Sequence, residues 1–385
     1  MSRPNRTRVL IVLQNFAGGG AERVPLTLAR YLDRSRFDVT VFAHENWGPL
    51  AGTLPEHVRV VSQNDVYRRH QLPGLLARTV SLAKEHDVLV GANEGRVGIL
   101  TLLAGRIRHR PVVCWLHTFW EEFGKRTSWR QRYALPAYAR ADALVAVSRG
   151  VAESFARLVG VSASSLEVIY NGLPGDEIRR LACEPLPEEH EAIFSGPTVV
   201  NAARLDEVKG QQFLIEAHAA LRARGCVHRL VILGEGPRDA ELHALAARLG
   251  VGDSVCFLGF QQNPYRYMRR STVFALSSMF EGLPLVLGEA MFCGAPVVSF
   301  DCPGGAREVL EDGRAGILVP AQDVTGLAAA LGQLLDDPSE RARYAALSAD
   351  RCATFDVSHF AAAWGELLER VQDGRPRTPV DAVSG

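Results

Sequence analysis

The 385 residues contain no Asp-x-Asp pair, no His, Cys and Asp cluster at metal-ligand spacing, no phosphate-loop lysine signature and no Gly-x-Ser-x-Gly elbow. These absences argue against a required metal, a P-loop nucleotide hydrolase and a serine hydrolase. No Cys-x-x-Cys occurs, and the seven cysteines are an odd number lying mostly in apolar runs, which fits reduced, buried thiols better than a disulfide framework. Long apolar runs are also missing: Val9 to Leu13 is far shorter than a secretory core, and no later run approaches the ~18 residues of a spanning helix. A cytoplasmic protein that does not cross a membrane is expected.

Net charge is absent too, but only on average. Lys plus Arg outnumber Asp plus Glu by 25 to 17 up to Glu184 and trail by 18 to 26 beyond it. A basic first half suggests contact with an anionic surface, although an arginine-rich proteome produces the same bias.

What the chain does contain is alternation. Apolar runs of strand length alternate with helical patterns, the signature of parallel α/β sheets covered on both faces. The first set is Arg8–Leu13, Asp38–Ala43, Val58–Ser62, Val88–Gly91, Val112–Leu116, Ala143–Val147 and Leu166–Ile169. The second is Thr198–Ala202, Arg229–Leu233, Val255–Phe257, Val273–Ala275, Val297–Ser299 and Gly316–Val319. Between them, Arg179 to Pro197 is rich in Pro and Glu and has linker composition. Length and rhythm predict two doubly wound domains facing across a cleft, 1–182 and 197–356, with a linker at 183–196. A last helical pattern, 357–372, could pack on either domain, and 373–385 is polar and expected to be disordered.

Chemistry-bearing residues gather at the expected strand ends. The stretch Glu281 to Ala290 reads as a loop with Gly282 and Pro284 running into a helix near Leu285, with a second carboxylate at Glu289. It is either a capped surface helix or half of a ligand site, in which helix amides attract phosphate and the carboxylates take hydroxyls. After the first strand, Gly18, Gly19 and Gly20 open a helix; they serve a phosphate or hydroxyl ligand, or a turn needing positive φ. Arg23 occupies the place of the third glycine of a dinucleotide fingerprint, which disfavours NAD. Arg204 and Lys209 flank the turn after Ala202, well placed for a diphosphate if not merely solvated.

Gly234 and Gly236 follow another strand and border the same ligand, while main-chain groups at Gly259 and Phe260 could read a base. Cys302 to Leu310 offers one more loop-to-helix anion site or a plain turn. His117 lies just past a strand end. Behind it, Trp120, Phe123, Trp129 and Tyr133 interleave with Lys125, Arg126, Arg130, Arg132 and Arg140, suiting a membrane interface or a half-exposed helix with snorkelling arginines. Arg68, Arg69, Arg106, Arg108, His109 and Arg110 add to this basic half.

In order along the chain, GGGAER at 18–23, His117, ARLDEVKG at 203–210, LGEGP at 233–237 and the pair Glu281 and Glu289 resemble the retaining GT-B glycosyltransferases of family 4. The resemblance covers nearly the whole chain. It implies that the last helix crosses back onto the first domain. It further implies that Arg204 and Lys209 neutralise a donor diphosphate, Glu289 holds the ribose, and Glu281 touches sugar hydroxyls near the reacting carbon. Leu283, Leu285 and Val286 would offer N–H groups to the β-phosphate, Pro284 standing where many members have Gly. His117 would bind the donor sugar or phosphate, and Gly19 with Gly20 would shape the sugar and acceptor site.

The implied activity is metal-independent hexosyl or N-acetylhexosaminyl transfer from a UDP-sugar, or a GDP-sugar, to a polyprenyl-linked or saccharide acceptor. No cofactor and no nucleic acid are implied. The setting would be bacterial surface polysaccharide, such as lipopolysaccharide, or protein glycosylation, on the inner face of the cell membrane. A sugar-nucleotide epimerase of the same fold and a non-catalytic nucleotide-sugar-binding protein are the alternatives.

Overall fold

The computed structural model describes residues 6–64, 71–122 and 135–374. Arg68, Arg69, the aromatic and basic stretch from Phe123 to Tyr133 and the end of the expected tail beyond Gly374 lie outside the described residues. Two compact units emerge: unit 1 takes in Met1–Gly172 and Val357–Gly385, and unit 2 is Leu173–Asp356.

Unit 1 holds a seven-stranded sheet of β1 (Thr7–Leu13), β2 (Phe37–Glu45), β3 (Arg59–Asn64), β4 (Val88–Gly91), β5 (Val112–Leu116), β6 (Ala143–Ala146) and β7 (Glu167–Val168). Their order is β3-β2-β1-β4-β5-β6-β7, all parallel. Strands β1, β4 and β5 have no solvent-exposed face: Val9 to Leu13, Val88 to Val90 and Val113 to Leu116 are completely buried, which is why they read as unbroken apolar runs.

The helix Val357–Gln372 completes unit 1. Trp364 is fully buried, its ring centroid 4.3 Å from that of Trp115, and Glu369 and Arg370 pair with Arg36 and Glu167, each at 2.6 Å.

Unit 2 holds six parallel strands, β8 (Thr198–Ala202), β9 (Arg229–Leu233), β10 (Val255–Phe257), β11 (Val273–Leu276), β12 (Val297–Asp301) and β13 (Ile317–Pro320), in the order β10-β9-β8-β11-β12-β13. Each sheet reverses its winding once, between β1 and β4 and between β8 and β11. Open α/β sheets bind ligands beyond the carboxyl ends of the strands at that reversal.

The expected linker is not one. The boundary falls after Gly172, and 173–196 belongs to unit 2. Leu173 N–H donates to the Phe355 carbonyl at 2.8 Å, and the helix Gly175–Ala182 lies so close to Phe292 that a Cβ at Gly175 would come within 2.3 Å of its ring. The polar residues that look like linker composition hold long-range bonds instead. Glu184 accepts from Asn263 at 2.8 Å, the Pro185 carbonyl accepts from Arg266 at 3.1 Å, and Glu191 pairs with Arg270 at 3.0 Å.

Candidate functional site

The loops leaving β8 and β11 are tied together backbone to backbone. Gly210, at φ 62°, approaches Ser277 so closely that a Cβ would sit 2.2 Å from its carbonyl oxygen, and the Ser277 hydroxyl donates to the Lys209 carbonyl at 3.0 Å. Asp206 shapes the first loop by accepting Lys209 N–H at 3.1 Å and Arg204 Nε–H at 2.7 Å. The closure brings Lys209 Nζ to 2.7 Å from Glu281 Oε1. Burial works to lower the Lys209 pKa, but the Glu281 charge and hydrogen bond, with Asp206 behind them, override it and hold the ammonium above its ordinary range.

Glu281 is fixed from below by the loop after β12. Its N–H donates to the Pro303 carbonyl at 3.0 Å, and Gly304, at φ 112°, lies where a Cβ would stand 1.6 Å from the Glu281 carbonyl oxygen. The segment Cys302 to Leu310 is therefore the support under Glu281, and its glycines serve close backbone approach. Beyond Glu281 the helix Leu285–Phe292 starts without a side-chain cap or an acidic first turn. Leu285 and Val286 have no intrahelical carbonyl to bond, so their amides, with that of Leu283, keep the polarity that draws anions. Glu289, one turn further, is 3% exposed and accepts from the Tyr265 hydroxyl at 3.2 Å.

The glycines of 233–237 serve packing first. A Cβ at Gly234, φ 138°, would lie 2.0 Å from the Ala203 carbonyl, and one at Gly236 2.3 Å from that of Leu205. Gly259 spends its carbonyl on Gly234 N–H at 2.8 Å, and Phe260 N–H faces Glu235 Oε1 at 3.4 Å under an exposed ring.

In unit 1 the loop after β1 is joined to the loop after β4 by Asn93, whose Oδ1 accepts Gln14 N–H at 3.1 Å and whose amide donates to Ala21 at 3.3 Å. Gly19 precedes the helix Gly20–Tyr31 at φ −71°, so the glycine run does not answer a need for positive φ. A Cβ at Gly19 would instead press on the Glu22 carboxylate at 2.5 Å.

His117 and Thr118 both donate backbone N–H to Glu94 Oε1, at 2.7 and 2.8 Å. Burial raises the Glu94 pKa above the usual carboxyl range against these bonds. It also pushes His117 down to about 3, although the ring bonds the Ala92 backbone. The buried Nε2 has no partner. Nδ1 therefore carries the proton and Nε2 is left as an acceptor.

A folded-state value below the ordinary one means that the unfolded chain takes the proton first as pH falls. The contribution of His117 to stability is therefore expected to be complete above about 6.5 and to be lost toward 3, with about 2 kcal/mol of it gone at pH 5. The imidazole resonances of His117 are expected to stay flat from pH 8 to 5; a midpoint near 6.5 would overturn the assignment.

Unit 2 thus gathers Arg204, Lys209, Gly234, Gly259, Phe260, Glu281, Leu283, Leu285, Val286 and Glu289 at one edge of its sheet, and His117, Gly19 and Gly20 lie at the corresponding edge of unit 1. Sequence reasoning missed Asp206, Glu94 and Tyr265. A carboxylate inside ARLDEVKG, directly after a strand, was the available signal for Asp206. Nothing local marks Tyr265, whose partner lies 24 residues on.

Residues 18–176 match the family model described as Glycosyltransferase Family 4, and residues 196–337 that described as Glycosyl transferases group 1. The chain is 33% identical over 292 residues to a GDP-mannose-dependent alpha-(1-6)-phosphatidylinositol monomannoside mannosyltransferase of Mycolicibacterium smegmatis, covering 70% of this chain and 73% of the relative. It is 34% identical over 219 residues to N-acetylgalactosamine-N,N'-diacetylbacillosaminyl-diphospho-undecaprenol 4-alpha-N-acetylgalactosaminyltransferase of Campylobacter jejuni. That match takes in 57% of this chain and little more than half, 58%, of the relative. The crystal structure of Anabaena HepE with UDP and glucose has a TM-score of 0.80 at 26% identity, covering 94% of this chain and 100% of that one.

Proposed function

Because this chain belongs to the family 4 glycosyltransferases and has their GT-B fold, we propose that it is a retaining transferase. It moves a sugar from a nucleoside diphosphate, UDP before GDP, to a lipid-linked or saccharide acceptor. The observation that carries this reading is the Lys209–Glu281 pair at 2.7 Å, beside the uncapped start of the helix Leu285–Phe292.

An arriving diphosphate offers Lys209 a doubly charged partner and frees Glu281 for the sugar hydroxyls. Arg204, 74% exposed, and the amides of Leu283, Leu285 and Val286 supply further positive potential to the leaving group. Glu289, held by Tyr265, is the ribose clamp. Gly234, Gly259 and Phe260 flank the base, His117 is a sugar contact of unit 1, and Gly19 with Gly20 line its acceptor side. The acceptor oxygen bonds to the anomeric carbon on the face from which the diphosphate departs. The bond to the diphosphate breaks, and a β-phosphate oxygen takes the acceptor proton, so no protein nucleophile is needed.

The UDP complex of the Anabaena neighbour supports a UDP donor, and the mycobacterial relative's name supports GDP as second. The diphospho-undecaprenol in the Campylobacter relative's name supports a lipid-linked acceptor, and bacterial surface-glycan synthesis is the setting we propose for it. No described helix is long and apolar enough to cross a membrane. The basic excess before Glu184 supports peripheral binding to an anionic membrane face.

Since cationic side chains and amides stand in for a metal, transfer in excess EDTA should proceed within about twofold of the untreated rate, and saturating UDP should raise the melting temperature by several degrees. Loss of transfer in EDTA would overturn the metal-independent reading. An isomerised sugar nucleotide formed without acceptor would identify an epimerase instead.

A further inference from the structure

The opposite, N-terminal edge of the unit 2 sheet carries polar chemistry that sugar transfer does not use. His218, on the helix Gln211–Ala223, and His228, at the entry to β9, are 1% and 3% exposed, with ring centroids 4.5 Å apart. Their nitrogens lie on one line of hydrogen bonds. The Cys226 carbonyl is 3.1 Å from His228 Nδ1, and His228 Nε2 is 2.8 Å from His218 Nδ1. His218 Nε2 is 2.8 Å from Ser254 Oγ, which is 3.0 Å from the Val251 carbonyl.

Carbonyl oxygens only accept, and they close the line at both ends. Its four links need four protons, whereas two neutral imidazoles and one hydroxyl hold three. The line is one proton short when neutral and complete when one imidazole is charged.

The surroundings oppose the fourth proton. Burial pushes His218 down to about 3 and lowers His228, and Arg222 adds to both effects. Asp336, at the end of the helix Val324–Asp336, pulls the other way on His228.

A cavity of about 720 Å³ opens against this line, bordered by His228, Ser254, Ser195, Arg222, Arg229 and Asp253. Its volume suits a small organic ligand. Two guanidiniums against one carboxylate leave the border positive, and guanidinium forks match phosphate oxygens. Arg222 and Arg229 are both exposed on the surface, with Arg229 giving one N–H to the Ala192 carbonyl at 2.6 Å. A five-residue strand, roughly 16 Å, separates this edge from the Arg204 edge.

We propose that this cavity binds a small organic phosphate of sugar-phosphate size, and that the His218–His228 line takes up one proton as the phosphate binds. The anion supplies the counter-charge that burial otherwise denies the imidazolium, and the proton completes the fourth link.

Calorimetry on the full chain tests this with glucose 6-phosphate, inorganic phosphate and sulfate, the last because its charge does not change between pH 5.5 and 8. Glucose 6-phosphate should bind more tightly than inorganic phosphate. Sulfate should bind at least tenfold more tightly at pH 5.5 than at 8, with close to one proton taken up when buffers of different ionisation heat are compared. Arg222→Ala with Arg229→Ala should abolish binding, and His218→Gln should flatten its pH dependence. Because His218 is buried, the same point is read in the native protein from imidazole resonances, whose midpoint sulfate should raise.

Absence of binding by every anion overturns the proposal, as does binding that survives loss of both arginines, which would put the anion elsewhere. Equal affinity for inorganic phosphate removes its organic half. A midpoint that sulfate leaves unmoved, or pH-independent binding, removes the proton uptake.

Discussion

Lys209→Ala is expected to lower kcat/KM for transfer by about 10²–10³-fold, mostly in kcat, because the ammonium acts on charge that develops as the diphosphate departs. The substitution has a second consequence. Glu281, whose side chain is 11% exposed, loses the partner at 2.7 Å that neutralises it. An unpaired carboxylate there costs about 2 kcal/mol of folding stability, less than for a fully buried pair because the site is partly wet.

Thermal melts beside steady-state kinetics separate the two effects. The double variant Lys209→Met with Glu281→Gln should recover most of the stability and none of the rate. Full activity in Lys209→Ala would remove the residue from leaving-group stabilisation. Recovery of rate in the double variant would reduce its role to folding.

Gly304→Ala should be the most damaging small substitution in unit 2. The backbone at φ 112° disfavours any side chain, and the new Cβ would lie 1.6 Å from the Glu281 carbonyl oxygen, a contact that only backbone movement relieves. A loss of at least about 3 kcal/mol is expected, roughly 5–10 °C in melting temperature. Donor-dependent activity in the surviving folded protein should fall further, since a 1 Å displacement at a reacting centre is worth about 10²-fold.

Gly294→Ala is the control. Gly294 has φ 80° but nothing within 4 Å of a Cβ, so it reads strain without collision. Equal melting temperatures for the two variants would show that the Gly304 contact is accommodated without cost.

Sequence reading succeeds here where one physical cause acts locally. The runs of β1, β4 and β5 are legible because both faces of these strands are buried, which forces continuous apolar stretches. At the sheet edge that force weakens, and the run Leu166–Ile169 contributes only Glu167–Val168 to β7. Prolines and glutamates between 179 and 197 look like a linker because their partners, Asn263, Arg266 and Arg270, are some 80 residues away.

The site was legible in the same uneven way. Lys209 and Glu281 could each be picked out from their positions after strands, but their pairing across 72 residues follows from the strand order, in which β8 and β11 are neighbours. The glycines at 234, 236 and 304 were visible as ligand loops, yet each is needed where one backbone presses on another. Glu94 gave no signal, because a carboxylate that gathers two backbone amides at the next strand's end looks like any loop residue.

Because the helix Val357–Gln372 completes unit 1, synthesis on the ribosome delivers the two units out of order. All of residues 173–356 must be made before Trp364 can reach Trp115, a wait of about 10–40 s at ordinary elongation rates. Unit 1, begun before unit 2, therefore stays unfinished until after unit 2 has been made. Until that helix emerges, the surface around Trp115 is open to chaperones, and a message truncated before codon 357 would yield a unit 1 that lacks its last helix.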